Sequence, residues 1–192
     1  MKRIVIFASG NGTNAHRIIE YFKENKAVEV SLVLSNNHKA KVLERANTLK
    51  TGAISFNRSA FYNSDSILQL LKNIEPDLIV LAGFLWLFPQ RILNFFPNKV
   101  INIHPALLPE FGGKGMYGSN VHNAVIASGV KESGITIHYV TPEYDKGAII
   151  FQAKTEITSK DTSETVAAKI HELEYEHFPK VIEQVLNPIK NG

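Results

Sequence analysis

The sequence predicts an α/β fold: a mostly parallel sheet with helices on both faces and an antiparallel addition in the C-terminal half. Three observations carry this. Short apolar runs alternate with segments of helical spacing from the start to Ala82, the pattern of a parallel sheet. The runs 4–8 and 78–82 are apolar throughout, as strands buried on both faces must be. From Gly134 onward the pattern becomes alternation, turn and return, which an antiparallel pair explains.

Each element follows in order. Residues 4–8 form the first strand, and Ser9 to Asn14 a turn. Residues 15–22 place Ile18, Ile19 and Phe22 at helical spacing. Residues 28–34 are strand two; 41–49 read as a helix, ended by Gly52. A short strand at 53–56, a helix at 66–74 closed by Pro76, and a strand at 78–82 complete the first part. Residues 101–103 are a brief strand running into His104 and Pro105, and 108–118 is a glycine-rich loop. Residues 121–127 suit a helix, 135–140 alternate, 142–147 turn, and 148–153 return. A last helix starts near Asp161, where Glu164 completes a capping-box pattern, and Val166, Ile170 and Leu173 continue its buried face. Pro179 is expected to bend or interrupt it. No repeat, low-complexity tract or linker divides the chain.

Composition bounds the function. Of 192 residues, 44% are apolar and 20% are charged with mixed signs, which supports a core and argues against disorder. The net charge of +3 is modest and unclustered, so no nucleic-acid partner is expected. There is no cysteine, which excludes disulfides and thiolate metal sites and fits a reducing compartment. The apolar run after Met1-Lys2-Arg3 is shorter than the roughly 7–15 residues of a signal core. No run approaches the roughly 18 residues of a membrane span. A cytoplasmic chain without a membrane partner is expected.

Two loops carry chemistry. Gly10-Asn-Gly12-Thr-Asn-Ala15 follows a strand and opens a helix, where backbone N–H groups bind phosphate. The string also fits a dinucleotide fingerprint, but strand two ends in Ser35-Asn36-Asn37 and lacks the acid that would hold a ribose. Alternatively, the glycines serve a tight turn alone. In the second loop, Asn102 and His104 share a strand face because side chains alternate. An amide and an imidazole there suit oxyanion stabilisation. The plainer reading of His104 is a hydrogen-bonded fixture, and of Asp145 a turn residue. His122 and His138 belong to no metal-ligand motif, and no metal is expected.

In combination these strings resemble the folate-dependent formyltransferases. The carriers are SGNGTN at 9–14, LAGF at 81–84, NIHPALLP at 102–109 and GITIHYVTPEYDKG at 134–147, in family order across nearly the whole chain. SGNGTN and the short length resemble the branch acting on glycinamide ribonucleotide. The resemblance implies one formyltransferase domain over 1–192, with a Rossmann-like ribonucleotide-binding half (1–100) and a catalytic, folate-binding half (101–192). It implies a catalytic trio of Asn102, His104 and Asp145. Ribonucleotide contacts fall on Gly12, Thr13, Asn14 and Glu174. Folate contacts fall on Arg58, Leu85, Trp86, Leu87, Phe88, Asn102 and Val140. Trp86 stands where relatives often carry arginine, and loop 112–118 is one of several family versions, its Lys114 and Tyr117 unassigned.

The implied reaction moves a formyl group from 10-formyltetrahydrofolate, as co-substrate, to the amine of glycinamide ribonucleotide in purine biosynthesis. Asn102 and a protonated His104 would stabilise the oxyanion; Asp145 would keep His104 charged and relay a proton. The enzyme would act as a monomer or homodimer. Rival readings are a transfer-RNA formyltransferase or formyl-folate hydrolase, which carry extra domains, a nucleotide sensor on the same fold, and an oxidoreductase.

Overall fold

The computed structural model describes residues 1–188. The chain runs β1 (Lys2–Phe7), α1 (Thr13–Phe22), β2 (Val28–Ser35), α2 (Lys41–Thr48), β3 (Ala53–Ser55), α3 (Arg58–Tyr62) and α4 (Ser66–Ile74). It continues through β4 (Leu78–Leu81), α5 (Gln90–Phe95), β5 (Val100–His104), α6 (Ser119–Ser128), β6 (Glu132–Tyr139), β7 (Ile149–Glu156) and α7 (Ser163–Leu186). The strands make one seven-stranded sheet in the order β3-β2-β1-β4-β5-β6-β7. Pairing is parallel from β3 to β5 and antiparallel at β5–β6 and β6–β7. The α/β class and its antiparallel addition are as the sequence predicts.

Why β1 reads as uniformly apolar is clear from the packing. Ile4, Ile6 and Ala8 enter a core beneath α1, α6 and α7. Val5 and Phe7 enter a second core on the opposite face, with Phe61, Leu68, Leu71 and Phe88. Both faces are covered, so neither can be polar. Phe7 is fully buried at the centre of an aromatic group, with Phe84 and Phe88 edge-on at 5.4 and 5.2 Å. Such edge contacts add about 0.5–1.5 kcal/mol per pair beyond burial.

Several elements differ from expectation. α3 and α5 were not anticipated, because each is too short for periodicity to register. Asn57 caps α3 locally, and nonlocal support comes from the Arg91 guanidinium, which donates to the carbonyls of Phe61, Tyr62 and Ser64. The capping box of α7 is Thr162 with Thr165 rather than Asp161 with Glu164. Asp161 instead accepts from Thr158, Thr165 and Lys169 outside the helix. Pro179 does not interrupt α7, which runs on to Leu186 with Pro179 buried. Burial of Phe178, Val181 and Ile182 around it offsets the backbone bond that proline cannot make.

Candidate active site

Parallel strands deliver their following loops to one edge. The loops after β1, β4 and β5 therefore meet, and together with α6 and α7 they surround a cavity of about 670 Å³. The first two loops are joined directly. The Ser9 N–H donates to the Gly83 carbonyl at 3.1 Å, and the Leu85 N–H donates to the Ser9 hydroxyl at 2.9 Å.

At one end of the cavity lies the start of α1. Gly12 caps the helix at φ 75°, a left-handed conformation, and a Cβ there would collide with Val42. The first turn carries no acid, so its free N–H groups and positive dipole end are not neutralised within the helix. Arg45 of α2 braces the loop, donating from Nε to the Asn11 carbonyl at 2.9 Å and from Nη2 to Asn11 Oδ1 at 3.1 Å. Asn14 Nδ2 donates to Glu174 Oε2 at 2.9 Å. Gly12, Thr13, Asn14 and Glu174 thus line one region, although Glu174 lies far away in sequence.

On β5, Ile101 and Ile103 enter the first core, so Asn102 and His104 face the other way. The antiparallel register sets His138 of β6 directly across from Asn102. His138 Nδ1 lies 2.8 Å from the Tyr139 carbonyl, which assigns the ring proton to Nδ1. Nε2 then accepts from Asn102 Nδ2 at 3.1 Å. His104 Nε2 donates to the Phe111 carbonyl at 2.8 Å. Its Nδ1 is 3.6 Å from Asp145 Oδ2, and His138 Nε2 is 3.6 Å from Asp145 Oδ1. Both separations are longer than hydrogen bonds, and each ring attracts Asp145 across them in its charged form. The Gly113 N–H does bond Asp145 Oδ2, at 2.8 Å. Asp145 adopts φ 55°, a left-handed conformation that aspartate tolerates better than most residues.

Burial and charge compete here. Burial pushes the Asp145 carboxyl up, but His138, His104 and the Gly113 N–H together hold it below its ordinary value. For His104, burial is the largest influence and pulls it below its ordinary value; Asp145 and the Phe111 carbonyl oppose this without overcoming it. Asp145 at 3.6 Å thus favours the charged form of His104, and removal of the imidazolium from water disfavours it.

The other end is an aromatic wall. Leu85, Trp86, Leu87, Phe88 and Val140 line it. The Trp86 ring packs 5.9 Å from Tyr62 and 6.1 Å from Phe56, while the Tyr62 hydroxyl donates to the Leu87 carbonyl at 2.8 Å. Phe88 has its side chain buried against Phe7 and Phe61. Arg58 does not line the cavity; its guanidinium sits 5.0 Å over Tyr62 and 5.6 Å over Trp86. Lys114 and Tyr117 line the mouth and are exposed.

Some participants escaped the sequence reading. Arg45 and Tyr62 carry no local signal. The sequence places His138 in no metal-ligand motif, and its side-chain partner proves to be Asn102. His171 stands three residues before Glu174, a spacing that pairs side chains on a helix and was available. Among the described residues, no group of three or more His, Asp or Glu is placed to hold a metal, and no helix is long and apolar enough to cross a membrane.

A sequence model of the formyl transferase family matches residues 2–182. The phosphoribosylglycinamide formyltransferase of Bacillus subtilis (strain 168) is 38% identical over 197 residues, covering 100% of this chain and 98% of that one. The enzyme of the same name from Escherichia coli (strain K12) is 33% identical over 184 residues, covering 93% and 84%. In three dimensions, the phosphoribosylglycinamide formyltransferase of Bacillus halodurans superposes with a TM-score of 0.87 at 35% identity, over 99% of this chain and 98% of that one. That of Anaplasma phagocytophilum gives 0.87 at 32% identity, over 96% and 87%. With a family match across nearly its whole length and a site built from the loops that carry the matching motifs, the chain belongs to the formyl transferase family.

Proposed function

We propose that the chain transfers a formyl group from 10-formyltetrahydrofolate to the amine of glycinamide ribonucleotide. The products are formylglycinamide ribonucleotide and tetrahydrofolate, in purine biosynthesis. The observation that carries the reading is the meeting of Asn102, His104 and Asp145 in one cavity, between an anion-binding helix end and an aromatic wall. The relatives named for this activity support the acceptor.

In this reading the N–H groups at Gly12, Thr13 and Asn14 receive the ribonucleotide phosphate, and Glu174 holds the same substrate. Leu85, Trp86, Leu87, Phe88 and Val140 receive the folate, with Arg58 behind Trp86. The amine nitrogen attacks the formyl carbon, a C–N bond forms, and the carbonyl electron pair moves onto oxygen. Asn102 has a second amide hydrogen beyond the one given to His138, and this one meets the oxyanion. The developing negative charge adds to that of Asp145 and offsets the burial cost that opposes charge on His104. As the bond to the folate nitrogen breaks, Asp145 passes the proton of the attacking amine to that nitrogen through water. No covalent enzyme intermediate is required.

The test is a folate-absorbance assay with and without the ribonucleotide. Release of tetrahydrofolate that depends on the ribonucleotide supports the reading. Release without it identifies a hydrolase, and no release in either case identifies a binding protein.

A further inference from the structure

The reaction scheme gives Asn14 and Glu174 to the ribonucleotide and leaves His171, which lines the same cavity, without a role. Glu174 Oε2 is a shared acceptor: Asn14 Nδ2 donates to it at 2.9 Å from the start of α1, and His171 Nδ1 donates at 2.8 Å from within α7. Both bonds fall on Oε2. Glu174 is buried, whereas the His171 side chain is 50% exposed, and both line the cavity. The His171 ring stacks on Tyr175 at 5.9 Å with a 7° interplanar angle, which fixes its orientation. One oxygen thereby links Asn14, in the first turn of α1, to a titratable ring.

We propose that His171 is a positioning residue for the ribonucleotide: as an imidazolium it cancels the charge of Glu174 beside the phosphate-binding end of α1, so ribonucleotide affinity falls when His171 loses its proton. This rests on the acceptor reading above. α1 has no acid of its own in the first turn, and Glu174 brings one to that end from another helix. A bare carboxylate there neutralises the positive helix end and repels a phosphate dianion. Paired with imidazolium, the same carboxylate holds Asn14 in place at no net charge.

The neighbouring groups leave His171 as the group that responds. His122 on α6 and His104 on β5 also face Glu174, and burial holds both below the ordinary histidine value. On α1, His16 is paired with Glu20 at 3.2 Å. On α7 itself, Tyr175 stacks on the ring and Glu174 accepts from it. That hydrogen bond is the largest influence on His171 and raises its pKa above the ordinary value, with burial acting against it. A raised histidine contributes fully below its unfolded or unliganded value, and the contribution is lost as pH rises through the raised one.

Ribose 5-phosphate is the probe, titrated calorimetrically between about pH 7 and about pH 9, where its phosphate stays a dianion. It has no amine to titrate in that range. The parent Kd is expected to rise roughly threefold to tenfold across the window, the modest size reflecting screening of a half-exposed ring. His171→Gln keeps a hydrogen-bond donor without the charge, and should bind with the weak, high-pH affinity throughout. In turnover assays its defect should fall on the ribonucleotide KM rather than on kcat. A His171→Gln curve that follows the parent, or a parent curve that is flat, overturns the proposal. If the parent shows the expected pH dependence but transfers no formyl group, the acceptor reading fails and the role of His171 stands. Normal turnover with a His171→Gln curve like the parent's is the reverse case, and failure of the parent to bind the probe overturns the role of His171, turnover alone deciding the acceptor reading.

Discussion

Asp145→Asn isolates charge from shape. The asparagine oxygen can still accept from the Gly113 N–H, now at 2.8 Å from Oδ2, so the turn keeps its anchor. What disappears is a negative charge 3.6 Å from His104 Nδ1. A unit charge at that separation is worth about 4–5 kcal/mol at an effective dielectric near 20 and about 1 kcal/mol in bulk water. Asp145 is 11% exposed, so the loss lies between these limits. About 3 kcal/mol withdrawn from the transition state lowers turnover by on the order of 10²-fold. Steady-state formyl transfer should show this in kcat, with the ribonucleotide KM within about twofold of the parent because the loop at Gly12 is untouched. A kcat within about threefold of the parent would refute the assignment. Stability provides an independent check. Asp145 is held below its ordinary value of 3.8, so its contribution is complete above 3.8 and lost as pH falls through the lowered folded value. The gap in stability between parent and variant should therefore close in acid.

Three further outcomes follow from the packing. Gly12→Ala places a Cβ against Val42 at a positive φ and should destabilise the fold by at least about 1 kcal/mol while raising the ribonucleotide KM, read by thermal unfolding and kinetics. Trp86→Ala removes the ring that packs on Phe56 and Tyr62, and should raise the folate KM by about tenfold with the ribonucleotide KM unchanged; equal effects on both would place Trp86 outside the folate wall. Thr162→Ala breaks the capping box of α7 and should cost about 1 kcal/mol, a melting shift of roughly 2–4 °C, without altering kcat.

What was legible in the sequence was local. Ile4 to Ala8 announce a strand buried on both faces because each side chain is apolar. Asn102 and His104 share a face because they are two residues apart. What was not legible depends on partners distant in the chain. His138 meets Asn102 only through the register of β5 with β6. α3 forms where Arg91 collects its final carbonyls. Burial is what pulls the pKa of His104 down, and no string of residues states a depth. The α7 cap moved by one residue because Asp161 had a competing partner in Lys169.

Trp86 is the single tryptophan of the chain. Its indole stands in the wall of the cavity, under the Arg58 guanidinium and beside Tyr62. Intrinsic fluorescence excited in the indole band therefore originates from one place, and that place is the aromatic wall of the cavity. Emission should change when folate arrives and far less when the ribonucleotide arrives alone. The protein thus carries its own optical label, and the order in which its two substrates bind can be followed without attaching a dye.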